Sequence, residues 1–431
     1  MSSGGETRVA RRRVFYIPGY DPYPPRRYRE LYRTESQRQA ELSGYRIDQS
    51  SDPGGTGWTV IADIEGTSTE SKIDILVWND LVKHSMQVGI AKTYFQLLKT
   101  AWIYLSTGTL RRLSWLAKGP ILAALYPTAM LLAQLLVAVS IASVMGRFVD
   151  GFADRGLTWL SERLDPSTPV SDILSGMLGH FVFWAVVLAV AVTILRWFRS
   201  QDNKLFAYYL MQDYAFTASD WGRYPSEVET RLIEFRGRIE DALEDGYDEV
   251  LIVGHSSGAQ LAVSVVADVM RRRDPLLQTP VVSLLTLGQV IPMVSFLPEA
   301  HRLRSDLRHL STCDRISWLD VSAPGDGCAF ALSDPVAVSG VAPANGQLWP
   351  VVISAAFSQT LKPETLAQLK YRYFRLHFQY LCAFDQPGDY DYFRITAGPQ
   401  TLGQRFAGRR SSKSRVARPA SRYRSLEAVP E

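Results

Sequence analysis

Apolar positions along this chain follow two regimes. Over most of its length, short apolar runs alternate with amphipathic stretches. Two longer segments, 119–146 (GPILAALYPTAMLLAQLLVAVSIASVMG) and 176–195 (GMLGHFVFWAVVLAVAVTIL), carry no charge at all. The short runs predict strands: RVFYIPGYDP ends at a Pro-Gly turn, YRIDQS and GWTVIADIEG make a pair, and KIDILVWNDLV follows. DEVLIVG, PVVSLLTLG and RISWLDVSA come later. DEVLIVG is apolar without alternation, the pattern of a strand covered on both faces. RRYRELYRTESQRQAEL, PSEVETRLIEFRGRIEDALEDG, the stretch from Gly258 to about Arg273 and LPEAHRLRSDLRHL carry helical spacing. Strands alternating with helices predict an α/β fold of three layers.

The two uncharged segments predict something else. A hydrocarbon core about 30 Å thick takes roughly twenty apolar residues as a helix, and a charge at its centre costs several kcal/mol. Both segments meet that length, so a transmembrane hairpin inserted into the α/β domain is expected. Pro120 and Pro127 fall in the first turns of the first span. Gln134 and His180 lie inside the spans and are expected to bond a neighbouring helix. Arg111, Arg112 and Lys118 precede the first span, and Arg196, Arg199 and Lys204 follow the second. In the connection, Arg147, Arg155 and Arg163 are offset by Asp150, Asp154, Glu162, Asp165 and Asp172. The positive-inside rule then puts both chain ends in the cytoplasm, in an inner or plasma membrane. Ahead of the spans, Tyr94, Leu97, Leu98, Ala101 and Leu105 recur at helical spacing among Lys92, Lys99, Trp102 and Trp115. That pattern fits an interfacial helix and equally an amphipathic helix on the globular core. The expected division is 1–84 and 213–400 as two parts of one α/β domain, with 85–212 as a membrane insert whose spans cover about 119–146 and 175–196. A basic tail, 401–431, has little to bury and is expected to be disordered, either drawn to anionic lipid or solvated with no role.

Composition narrows the classes further. Of 431 residues, 46% are apolar, which excludes a disordered protein. Lys and Arg number 47 against 43 Asp and Glu, so a net charge of +4 gives no pull toward nucleic acid. The expected partners are the lipid bilayer and a membrane lipid or acylated substrate. Small residues in the spans permit self-association without fixing a number. Cys313, Cys328 and Cys382 have neither metal-site spacing nor the even count of a disulfide framework. GxGxxG, GxxxxGK and HExxH are absent, so no nucleotide or metal cofactor is expected.

One stretch carries chemistry. DEVLIVG runs into His255, Ser256, Ser257 and Gly258, and a helical pattern begins at once. Strand, Gly-x-Ser-x-Gly, helix is a nucleophile elbow: a sharp turn exposes the central serine while the glycines let strand and helix approach. Ser256 is the expected nucleophile, and Ser257 contributes its backbone N–H.

Through this GHSSG elbow and the strands around it, the chain resembles the α/β-hydrolase superfamily, in the manner of lipases and esterases, over roughly 13–80 and 220–385. The resemblance implies a three-layer α/β-hydrolase-like sheet and a triad in the order Ser, acid, His. His301 and His309 come too early in a charged helix, so His377 in YFRLHFQYL, after a short aromatic strand, is the implied base. The acid follows the penultimate strand. Asp326, in a Pro-Gly-Asp-Gly turn, is favoured over Asp320 and Asp334. The implied oxyanion donors are Ser257 and, from IPGYDP, Tyr20, with Gly19 allowing close approach and Pro18 standing where the family often has His. His255 is expected to point into packing. The family's cap follows the strand after the elbow; here the long insertion comes before it, so membrane helices are expected to take the cap's role. The resemblance thus implies a membrane-anchored serine hydrolase, cleaving an ester or thioester of a lipid-like acyl group through an acyl-enzyme. An acyltransferase using the same triad, or a non-catalytic membrane scaffold with a hydrolase-like core, are the alternatives.

Overall fold

Eight strands form one mixed sheet. They are β1 (Arg11–Ile17), β2 (Arg46–Ser51), β3 (Trp58–Ile64), β4 (Thr67–Ile75), β5 (Glu249–His255), β6 (Val281–Leu287), β7 (Ile316–Ser322) and β8 (Val351–Ser354), in the order β2-β3-β4-β1-β5-β6-β7-β8. β2, β3 and β4 are antiparallel neighbours, while β4, β1 and β5 through β8 run parallel. This computed structural model describes residues 8–52, 55–164, 169–277 and 279–426; residues 1–7, Asp165 and 427–431 lie outside them. The protein is an α/β protein. Every residue of β5 is buried, as its unbroken apolar run requires. β3 instead alternates, burying Trp58, Val60, Ala62 and Ile64 between exposed Ile61 and Asp63.

The order of the strands creates a crevice. β1 lies between β4 and β5; the chain leaves β1 toward the antiparallel side and leaves β5 toward β6. Loops diverging from adjacent parallel strands open a cleft at their C-terminal ends. Pro18–Tyr20 and Ser256 occupy those ends.

The elements differ from expectation in three places. The run KIDILVWNDLV stops being strand at Ile75, and a helix Asn79–Met86 begins. YFRLHFQYL is helical, Tyr373–His377 followed by a 3-10 turn Phe378–Leu381; an apolar run this short suits either period. The last strand is instead the four-residue β8, too short to stand out in the sequence.

The tail is ordered through Leu426 rather than disordered. Its start is tied to a buried ion pair, Arg12 Nε to Glu249 Oε2 at 2.6 Å, both side chains fully buried. Arg12 also donates to the Gly398 and Gln400 carbonyls, and Glu249 Oε1 accepts from Leu402 N–H at 2.7 Å. Buried charges need such partners, and this part of the chain supplies them. Further on, Ser412 N–H donates to Val352 O and Val352 N–H to Ser411 Oγ, which covers the edge strand β8. Val416 bridges Ser333, and the Ser425 carbonyl accepts from buried Arg304. The arginines that read as a solvated run are balanced in part by Asp389 against Arg409 and Asp334 against Arg415.

The chain divides into two compact units. One comprises Met1–Gln87, Thr100–Ala123 and Phe216–Glu431; the other, Val88–Lys99 and Ala124–Ala215. Residues 100–123, expected in the insert, therefore belong with the sheet. Tyr104 OH donates to Met293 O, Thr109 Oγ1 to Phe296 O, and Leu113 is fully buried.

Within the second unit, the long helices are Lys118–Leu164, which starts in the first unit, and Pro169–Ser200. The connection expected from about 147 to 174 is thus helical on both sides of residues 165–168. At 47 residues the first helix is about 70 Å long, more than twice a hydrocarbon core. Lys118–Gly156 and Gly179–Ser200 are long and apolar enough to cross a membrane, with 28% and 11% of their most apolar windows buried. Leu97, Leu131, Ala207, Tyr208 and Met211 form a small core, and Tyr94 OH donates to Leu131 O. Gln134 is buried, yet neither amide atom bonds any described residue, contrary to the expected interhelical bond.

Candidate active site

The turn after β5 is strained where the sequence places its serine. Ser256 has φ +57°, a left-handed conformation that costs a non-glycine residue of order 1 kcal/mol or more. Its N–H donates to Leu287 O at 2.9 Å, and its carbonyl accepts from Ala259 N–H at 3.1 Å, so the turn is bonded on both sides. The flanking glycines are steric requirements. A Cβ on Gly254 would lie 2.6 Å from Ala262 Cβ, and one on Gly258 only 2.3 Å from Ile17 O. The helix Gly258–Arg272 starts immediately, directing the positive end of its dipole at the turn. Ser256 is half-buried; its neighbours His255 and Ser257 are buried.

His377, on a helix beyond β8, meets Asp326, in the loop after β7. His377 Nδ1 lies 2.7 Å from Asp326 Oδ2, with both side chains buried. Asp326 Oδ1 accepts from Cys328 N–H at 2.9 Å, and Oδ2 also accepts from Tyr380 OH at 3.0 Å. Burial pushes this carboxyl up, but the facing imidazole and these hydrogen bonds outweigh it and hold Asp326 below the usual carboxylate range. An ionised carboxylate fixes the Nδ1–H tautomer and leaves Nε2 as a base. Nε2 is buried and bonds no described residue. Ser256 Oγ likewise makes no hydrogen bond among the described residues.

Nucleophile and base nevertheless lie by adjacent strand ends: Ser256 follows β5, and His377, on the helix Tyr373–His377, packs against the end of β6. Gly288, φ +51°, follows β6 directly after the Leu287 carbonyl that holds Ser256. A Cβ at Gly288 would lie 3.1 Å from His377 Cε1 and 2.7 Å from Tyr380 Cε2. Glycine here makes room for the imidazole. His255 packs as expected: its ring centroid is 4.8 Å from that of His377, and its Nε2 meets His377 O at 3.0 Å. Burial, helped by the neighbouring His377, lowers its pKa to about 3, so it stays neutral.

The alternative acids are engaged elsewhere. Asp320 accepts from Thr286 Oγ1 at 2.6 Å inside the sheet, and burial raises its pKa to about 8. Asp334 caps the helix Pro335–Val338, accepting from Val336 and Ala337 N–H. His301 and His309 lie on the helix His301–Thr312, as expected.

The oxyanion donors divide. Ser257 N–H, at the head of the helix, bonds no described residue. Tyr20 N–H, the second expected donor, is instead spent on Ser257 Oγ at 2.8 Å. Gly19 explains the closeness of the two loops: a Cβ there would lie 3.0 Å from Ser256 Cβ. Tyr20 is further held by Ser85 Oγ at 2.5 Å from its hydroxyl and by the rings of Trp78 and Phe216. The Ser257 hydroxyl, given no role from the sequence, therefore ties the two loops together.

Sequence reasoning also missed Tyr380. Its place three residues after His377, in a run now seen to be helical, is the signal that would have found it. Asp326, Cys328 and His377 place one potential metal-ligand atom each within 4.8 Å of one another. The 2.7 Å contact between Oδ2 and Nδ1 is nevertheless a hydrogen bond. Oxygen and nitrogen sharing a tetrahedral zinc ion stand roughly 3.4 Å apart. Compared with family models, curated proteins and solved structures, the chain matches none.

Proposed function

We propose that the protein is a membrane-anchored serine hydrolase of the α/β-hydrolase type, acting on an ester or thioester of a lipid-like acyl group. The observation that carries this is Ser256 held at φ +57° after β5, together with His377, packed against the residue after β6 and bonded through Nδ1 to a buried carboxylate. Strain at that turn is hard to explain as packing alone, since a glycine there would relieve it.

The chemistry follows from the roles. Ser256 Oγ attacks the acyl carbon and forms a C–O bond while its proton passes to His377 Nε2. Asp326 stabilises the imidazolium through Nδ1–H. Ser257 N–H receives the oxyanion. Collapse breaks the bond to the leaving oxygen or sulfur, which takes the proton from Nε2. Water then attacks the acyl-enzyme, giving its proton back to Nε2, and Ser256 departs with that proton as the free acid leaves. Ser256 and His377 close to hydrogen-bond distance when substrate enters, as such pairs often do.

Two helices of sufficient length and apolarity support the anchoring, and the arginines that flank them favour placing both parts of the sheet unit in the cytoplasm. Incubating the full chain in membranes with a fluorescent fluorophosphonate tests the function. Wild type is expected to label and Ser256→Ala to stay dark. No serine-dependent labelling of folded wild type would favour a non-catalytic scaffold.

A further inference from the structure

The stretch 100–122 has two faces. One is bonded to the sheet unit: Tyr104 OH to Met293 O, Thr109 Oγ1 to Phe296 O, Arg112 to Ala420 O, with Ile103 and Leu113 buried. The other carries Trp102, Leu105, Trp115 and Leu122, which are 66%, 63%, 67% and 69% exposed. Trp102 and Leu105 stand on one side of the helix Ile90–Ser106, in a spacing continued by exposed Phe95 and Leu98. Trp115 lies under the Arg111 guanidinium, 5.3 Å from the ring centroid. Large aromatics beside arginine and lysine are what a helix at the headgroup level presents. So large an apolar face on a soluble protein would call for a partner.

Two observations name that partner. The patch is continuous in the chain with the apolar helix that begins at Lys118. The same helix touches the site: a Cβ on Gly119 would lie 3.1 Å from both the Cα and the carbonyl oxygen of Gly327, the residue after Asp326. The backbone entering the apolar helix thus abuts the loop that carries the acid.

We propose that Trp102, Leu105, Trp115 and Leu122 form a bilayer-docking face that holds the Asp326 loop at the headgroup level, so that the site takes its acyl substrate from the leaflet and not from water. The docking stands on its own; the source of substrate rests on the hydrolase reading above.

The test uses the full chain in vesicles of phosphatidylcholine and phosphatidylglycerol. Photoreactive benzoylphenylalanine is placed singly at Trp102, Trp115, Leu188 and Ile233. Ile233 is a 55% exposed apolar residue on the helix Ser226–Glu244, and Leu188 lies in the second apolar helix. Irradiation is expected to give lipid adducts at 102, 115 and 188 and none at 233. Absence of adducts at 102 and 115 overturns the docking face, whatever 188 gives; adducts at 188 alone would leave the anchor standing without it. For the substrate, Trp102→Glu with Trp115→Glu is expected to slow labelling of Ser256 by bilayer-dissolved hexadecyl fluorophosphonate by about tenfold or more. Labelling by water-soluble diisopropyl fluorophosphate should stay within about twofold. An equal effect on both probes contradicts uptake from the leaflet. A wild type that neither probe labels contradicts the hydrolase reading and leaves the crosslinking result to decide the docking.

Discussion

The helix Gly258–Arg272 and the helix segment Gly179–Ser200 are both rich in Val, Ala and Leu, and their surroundings are opposite. In the first, every residue from Gly258 to Ala267 is buried, and Asp268, Arg271 and Arg272 reach the surface. In the second, mean hydropathy over its most apolar window is 2.2, yet only 11% of that window is buried, with Phe181, Trp184 and Leu188 largely exposed. The first helix finds its apolar environment inside the protein and uses the resulting rigidity to hold a strained serine. The second leaves its apolar side chains uncovered, which water would not tolerate. Apolarity alone does not separate them; the presence of a charged face does.

The widest break in this comparison comes from adding a charge to each. Val265→Asp buries an unpaired carboxylate, costs upward of about 5 kcal/mol and is expected to leave no folded sheet unit. Leu188→Asp should leave the thermal unfolding of that unit unchanged and instead disfavour membrane integration by about 2.5–3.5 kcal/mol. Melting curves in detergent and alkaline extraction of membranes separate the two outcomes. Equal melting losses would mean that Leu188 is packed in a protein core.

A change at the site should spare the insert entirely. Asp326→Asn keeps the shape but removes the charge that fixes the His377 tautomer. It is expected to reduce esterase turnover by about 10⁴-fold with membrane extraction unchanged. A loss under about tenfold would assign the acid's role elsewhere.

How far the sequence reached follows the same division. The elbow was legible because the residues that form it are local: β5, the two glycines and the helix lie within one run. Asp326 was legible from its turn after β7. The tail was not, because what orders it is distant in the chain: Arg12 calls for the carbonyls of Gly398 and Gln400, Glu249 for the Leu402 N–H, and Arg304 for the Ser425 carbonyl. Tyr380 and the Ser257 hydroxyl were hidden because each acts through a partner on another loop. Tyr20 N–H read as free because no sequence rule foresees that Ser257 Oγ captures it. Residues 100–123 shared the insert's composition, and only tertiary bonds assign them to the sheet.

The buried ion pair offers a sharper measure of that distant order. Glu249→Gln strands the Arg12 guanidinium in the core and is expected to cost about 3–5 kcal/mol in thermal unfolding of the sheet unit. It should also release the tail to protease between Thr401 and Arg410. A tail equally protected in the variant would mean that the edge strand alone holds it.

The last effect depends on pH. Burial lifts Asp320 from the ordinary carboxylate value to about 8, so the folded state favours its protonated form. Its contribution is therefore present in full below about pH 4 and is lost as pH rises through 8. Asp320→Asn cannot lose a proton. Its stability relative to wild type is expected to grow between pH 4 and 8 by up to about 1.4 kcal/mol per pH unit and then level off. Parallel stability curves would contradict a buried neutral acid.

The most direct measurement is to digest the fluorophosphonate-treated chain and locate the adduct by mass spectrometry. The account predicts phosphonate on Ser256 alone, none on adjacent Ser257, and a labelling rate that collapses in His377→Gln. An adduct on Ser257, or labelling indifferent to His377, would contradict it.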